Sequence, residues 1–156
     1  VKTGMPLVLW TGEQVSNCIM RNNLFIGTGG NYGYESTAPM RRCDFDYDGF
    51  GGTWKHFLKW NRVRYDTIVA AGKNAPVYRH AVRINPATIF ASGIKPPADT
   101  KTKFDIRVND LRIQAGSAGV DAGVALDNIN DGFTGKAPDL GAYELGAKLP
   151  HYGPRR

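Results

Sequence analysis

Apolar and polar residues alternate along Cys43-Asp-Phe-Asp-Tyr-Asp48, where Cys43, Phe45 and Tyr47 are interleaved with Asp44, Asp46 and Asp48. A period of two is that of a strand with one dry and one wet face. The stretch is also the second copy of a longer pattern. Asn17 to Thr28 aligns without a gap on Arg42 to Thr53, so that Cys18 matches Cys43, Phe25 matches Phe50, Gly27 matches Gly52 and Thr28 matches Thr53, always at an offset of 25 residues. A fixed period of this size predicts units that cannot bury an apolar face alone and stack on their neighbours. Short strands and Gly-rich corners make the expected stack an all-β parallel β-helix, with Leu7 to Trp10 as a strand of a preceding rung.

Three zones follow: β-helix rungs over residues 1–53, an insertion over 54–115 with one short helix and further strands, and an irregular cap over 116–156. Trp54, Phe57, Leu58 and Trp60 fit one face of a short helix. Tyr65 to Ala71 reads as a helix, with Asp66 or Thr67 near its start and Gly72 as a stop. Val77 to Ile84 and Leu111 to Ile113 read as strands, and Ser92 to Thr102 as a surface loop. From Asp121 onward glycine and proline recur too often for long elements. Gly29 to Glu35 is expected as a loop followed by a short strand around Tyr34, and not as a phosphate cradle, because no Gly-Lys-Ser/Thr follows.

At 156 residues, with 19 glycines, nine prolines and 22% charged residues, the chain suits a single turn-rich domain. No apolar run approaches the ~20 residues needed to span a bilayer, and no signal-peptide pattern opens the chain. The start at Val1, in mid-pattern, is read as that of a processed product or a C-terminal piece. Two cysteines are too few for a disulfide scaffold; Cys18 and Cys43 are expected as stacked thiols that pack as small apolar groups. The net charge of +6 suits an acidic polysaccharide, nucleic acid or an anionic surface, and selects none of them.

Ala118 to Gly123, followed by Asn130 to Glu144 with its Asp139-Leu-Gly-Ala-Tyr-Glu144 element, resembles the closing segment of bacterial right-handed parallel β-helix repeat proteins. Cys43 to Gly52 and Leu149 to Arg155 are similar to parts of one poorly characterised branch of that group. Gly119-Val120 stands where the group more often has Ala-Ile. The resemblance implies the last rungs of a right-handed solenoid in a secreted or cell-surface bacterial protein, often directed at carbohydrate. Fold analogy does not choose between lyases, glycosidases, adhesins and phage spikes.

Candidate chemistry begins with Asp44, Asp46, Asp48 and Gly49, which form D-x-D-x-D-G, the opening of a calcium loop. The twelfth position, where an EF-hand needs glutamate, is Lys55, so an EF-hand is excluded. The row could still hold Ca2+ or supply catalytic acids; the alternative is a solvated strand face. Trp54, Lys55, Lys59, Trp60 and Arg62 interleave indoles with cations, as a platform for acidic sugar would. The alternative buries Trp54, Phe57 and Trp60 under the next helix. His56 lies near the Asp row in sequence; His80 and His151 share no metal-ligand spacing with it. Asp121, Asp127, Asn128, Asn130, Asp131, Asp139 and Glu144 are expected to accept backbone hydrogen bonds in the tail.

Two functions stay open. One is a protein that binds or cleaves polysaccharide, as a lyase or glycosidase whose groove lies mainly upstream of Val1. The other is a non-enzymatic surface or assembly module that stacks through its N-terminal rung on upstream sequence or a partner subunit. Polysaccharide ranks ahead of nucleic acid as the partner.

Overall fold

The computed structural model describes residues 5–9, 14–37, 39–96 and 110–149. Its strands are β1 (Leu7–Leu9), β2 (Val15–Ser16), β3 (Ile19–Met20), β4 (Leu24–Ile26), β5 (Gly30–Ser36), β6 (Met40–Arg41), β7 (Asp44–Phe45), β8 (Gly49–Gly51), β9 (Trp54–Trp60), β10 (Val63–Tyr65) and β11 (Val82–Ile84). One helix, α1 (Ile68–Asn74), lies between β10 and β11.

The 25-residue offset is realised as parallel pairing. β2 pairs with β6 (Val15 opposite Met40), β3 with β7 (Ile19 opposite Asp44) and β4 with β8 (Phe25 opposite Phe50). β5 pairs with β9 one residue tighter, Tyr34 opposite Leu58. Matching side chains therefore meet, and the Phe25 and Phe50 rings lie 5.3 Å apart. Gly52 shows why this position excludes a side chain. Its φ is +132°, and a Cβ there would fall 2.5 Å from the Gly27 carbonyl oxygen.

The expected parallel β-helix is nevertheless not what forms. Among the described residues the strands fall into four small separate sheets, ordered β1-β5-β9-β10, β11-β8-β4, β2-β6 and β3-β7, with no closed or solenoid sheet. The corners between the short strands do repeat, with Asn17 and Arg42, and Asn22 and Tyr47, all at φ between 51° and 60°. The physical reason is that the order stops after one repeat: β10 folds back antiparallel on β9, and β11 adds to β8 from far along the chain.

Trp54 to Trp60 is a strand and not a helix. Phe57 and Leu58, on its two faces, are both buried, which blurs the alternation that would have marked it. α1 is capped by Thr67, whose hydroxyl accepts the Ala70 N–H, and runs from Ile68 through Gly72 to Asn74. Leu111–Ile113 forms only a single antiparallel bridge, Ile113 to Phe90. His151 and the rest of 150–156 lie outside the described residues, as does Trp10. No helix among the described residues is long and apolar enough to cross a membrane.

Two apolar clusters hold the described residues. The larger is aromatic, with Tyr34, Phe45, Phe50, Phe57, Trp60 and Tyr78 packed edge to face. The smaller, Ile84, Ile89, Ile113 and Leu140, joins the three-stranded sheet to the tail. Cys18 and Cys43 are free thiols, partly buried against the larger cluster.

Candidate functional site

The Asp row lies where the repeat meets the segment after α1. Tyr78 N–H donates to the Phe45 carbonyl (2.7 Å) and Val82 N–H to the Asp48 carbonyl (3.0 Å), which lays residues 78–82 along residues 45–48. That path brings His80 opposite Asp46, 34 residues away in sequence.

The three carboxylates do not share a face. β7 ends at Phe45, and the left-handed turn at Tyr47 sends both Asp46 and Asp48 inward while Asp44 stays exposed. Asp44 pairs with Arg21, whose Nη1 also donates to the Asp44 carbonyl at 2.9 Å. Asp46 Oδ1 accepts the backbone N–H groups of His80 (2.7 Å) and Tyr47 (2.9 Å), and its Oδ2 meets His80 Nδ1 at 2.7 Å. Asp48 is wholly buried, with Oδ1 accepting Asn23 N–H (2.8 Å) and the Asn23 side-chain amide (3.0 Å). The proposed calcium row of Asp44, Asp46 and Asp48 is thus split among three partners. Among the described residues no three His, Cys, Asp or Glu gather to hold a metal ion.

Asp48 Oδ2 and the Tyr78 hydroxyl are buried without hydrogen-bond partners. Burial, partly offset by the Asn23 hydrogen bonds, pushes the Asp48 carboxyl up to about 6. Burial, with the charge of Asp48 adding to it, pushes the Tyr78 phenol well above its ordinary range.

Asp46 and His80 form the chemically useful pair. Asp46 is buried and fixes the ring through Nδ1, while His80 remains half-exposed. With Nδ1–H donating to Asp46, Nε2 carries the lone pair and can take a proton from a bound molecule. The Tyr47 ring stacks on the imidazole at 4.4 Å and 16°, and the Arg21 guanidinium lies 5.9 Å from the Tyr47 ring centre. Arg21 in turn lines a cleft of about 610 Å³ between the repeat and the tail, whose far wall includes Phe133, Tyr143 and Lys148.

His56, which lies near the Asp row in sequence, stands on β9 against Asp66 and Tyr32. The Asp46–His80 pairing had no local signal, since neither the spacing nor a motif links the two residues.

The indole–cation platform does not form. Trp54 and Trp60 occupy opposite ends of a seven-residue strand, ~20 Å apart. Trp60 is buried between Tyr34 and Phe45, and Trp54 is covered by the Arg83 guanidinium at 3.8 Å. Lys59 is bound to Glu35 at 2.7 Å, while Lys55 and Arg62 are exposed.

In the tail the carboxylates and amides hold backbone. Asp139 accepts the N–H groups of Asp121 (2.8 Å) and Leu145 (2.6 Å), and Glu144 those of Thr134 (3.1 Å) and Asp139 (3.0 Å). Asp121 accepts Lys136 N–H (2.8 Å), Asn130 accepts Leu126 N–H (2.6 Å) and Asp131 accepts Asn128 N–H (3.1 Å).

No family model, curated protein or solved structure matches this chain.

Proposed function

We propose that this chain acts on an acidic polysaccharide, with His80 as the acid–base group and Asp46 as the residue that positions it. The observation that carries the reading is the half-exposed imidazole held at Nδ1 by a buried carboxylate and backed by the Tyr47 ring. Elimination suits these residues better than hydrolysis. Hydrolysis of a glycoside calls for two available carboxyl groups, whereas Asp44 is ion-paired and Asp48 is wholly buried. Elimination needs one base beside a uronate. His80 Nε2 takes the proton from the carbon next to the sugar carboxylate, the freed electron pair forms a carbon–carbon double bond, and the glycosidic oxygen leaves and is protonated by water.

The test is incubation with polygalacturonate, alginate and hyaluronate, in calcium and in chelator, reading the absorbance of the unsaturated product end. Turnover is expected, and His80→Ala should lower kcat by roughly 100-fold or more while polymer binding is kept. Absence of product on uronate polymers, or equal turnover by His80→Ala, would refute the catalytic role.

A further inference from the structure

Strain and charge coincide at one corner of the molecule. The turn between β9 and β10 has two residues, Asn61 and Arg62, with φ of 45° and 71°. A two-residue hairpin turn with both angles positive favours Asn followed by Gly. Asn61 fits that rule, and Arg62 stands in the place of the glycine. The Asn61 side chain then clamps the turn onto β6: its Oδ1 accepts Met40 N–H at 2.9 Å, and its Nδ2 donates to the Met40 carbonyl at 3.2 Å. Arg41 and Arg42 follow Met40 directly, so three arginines share the corner, all of them exposed. Arg42 is also left-handed, at 51°. Its counterpart in the first repeat is Asn17, at 58°, a residue that tolerates this conformation far better. At both strained positions the chain carries a guanidinium where glycine or asparagine would fold more easily. Among the described residues none of the three guanidiniums has an ion pair or hydrogen bond, and the adjacent carboxylate, Asp44, is held by Arg21. Strain kept at an exposed, unpaired site points to a ligand.

We propose that Arg41, Arg42 and Arg62 form an anion subsite for the carboxylate or sulfate groups of an acidic polysaccharide. This rests on the polysaccharide reading of the His80 site. Guanidinium forks match such oxyanions in pairs. Arg42 is four residues from Asp46, at most ~14 Å along the chain, so one polymer can lie on both sites. Single-stranded nucleic acid would also want an exposed ring on which to stack a base, and Trp60, beside the turn, is buried.

The experiment is a titration of the full chain with polygalacturonate, dextran sulfate, neutral dextran and a dT oligonucleotide at two salt concentrations. Arg62→Gly and Arg42→Asn relieve the backbone, so both variants should melt no lower than the parent, and Arg41→Gln should melt unchanged. Each is expected to weaken binding of the acidic polymers about fivefold and to flatten the salt dependence, with neutral dextran unbound throughout. Unchanged affinity in the three variants, or no binding of acidic polymer by the parent, would overturn the subsite. Tighter binding of the oligonucleotide than of polygalacturonate would also overturn it, in favour of a nucleic-acid surface. Weakened binding together with full turnover by His80→Ala would keep the subsite and remove the catalytic reading instead.

Discussion

Between β2 and β9 backbone groups pair strand to strand, and side chains are free to fill space. Phe50 is representative: fully buried, it meets Phe25, Phe57 and Tyr78 within 5.3 Å. Residues 110–149 work the other way. They contain one bridge and no strand, and Asp121, Asn130, Asp139 and Glu144 accept the N–H groups that a sheet would otherwise satisfy. The first region is held by shape and burial, the second by placed acceptors. A chain short of regular structure can still satisfy its buried backbone, provided acidic and amide side chains stand at the right turns.

Truncation should separate the two modes most sharply in the repeat. Phe50→Ala is expected to cost about 3–5 kcal/mol, read from urea unfolding, because it opens a cavity inside the aromatic cluster. A loss under about 1 kcal/mol would mean that the cluster is loosely packed.

Asp48 departs furthest from that rule within the repeat, a wholly buried carboxyl where shape should govern. Its folded-state value of about 6 lies above the ordinary 3.8. The folded chain therefore holds the proton more tightly than the unfolded one. The stabilisation is complete below about pH 4 and is lost as the pH rises through 6. Asp48→Asn keeps the shape without the charge and should raise stability at pH 7 by up to about 3 kcal/mol. It should also remove the slope between pH 4 and 6. A parent protein whose melting temperature does not fall across that interval would show the carboxyl to be solvated.

Asn22 joins the two regions. Its side chain accepts Val124 N–H and donates to the Val124 carbonyl, both at 2.8 Å, and its own carbonyl accepts Gly141 N–H. Asn22→Ala should cost about 2 kcal/mol, with hydrogen exchange accelerated at Val124 and protection kept in β4 and β8. Acceleration spread evenly over both regions would show that they open together.

Much of this order can be read from the sequence, and the limits have physical causes. The matched Phe25 and Phe50, the glycines at 27 and 52 and the cap at Thr67 are local or periodic signals, and they sit where the pattern puts them. The acceptors of the tail were legible because Asp and Asn carry their role in their chemistry. The corners were not, since Arg42 and Tyr47 take left-handed angles without being glycine. The parallel β-helix failed where the repeat ends, as β10 turns back antiparallel on β9 and β11 reaches β8 from outside the repeat. The Asp row was misread as one wet face because the turn at Tyr47 is invisible to a period-two count. The pairing of His80 with Asp46 was not legible because it is set by two backbone bonds across the fold.

The register also restricts how this chain can change length. From β2 to β9 each strand faces one 24 or 25 residues away. A single residue gained inside one of these strands would carry the side chains after it in that strand to the opposite side of its sheet. Between strands the chain already takes such a change, since the offset is 25 residues at β4 and β8 and 24 at β5 and β9; corners absorb single residues, and ladders do not.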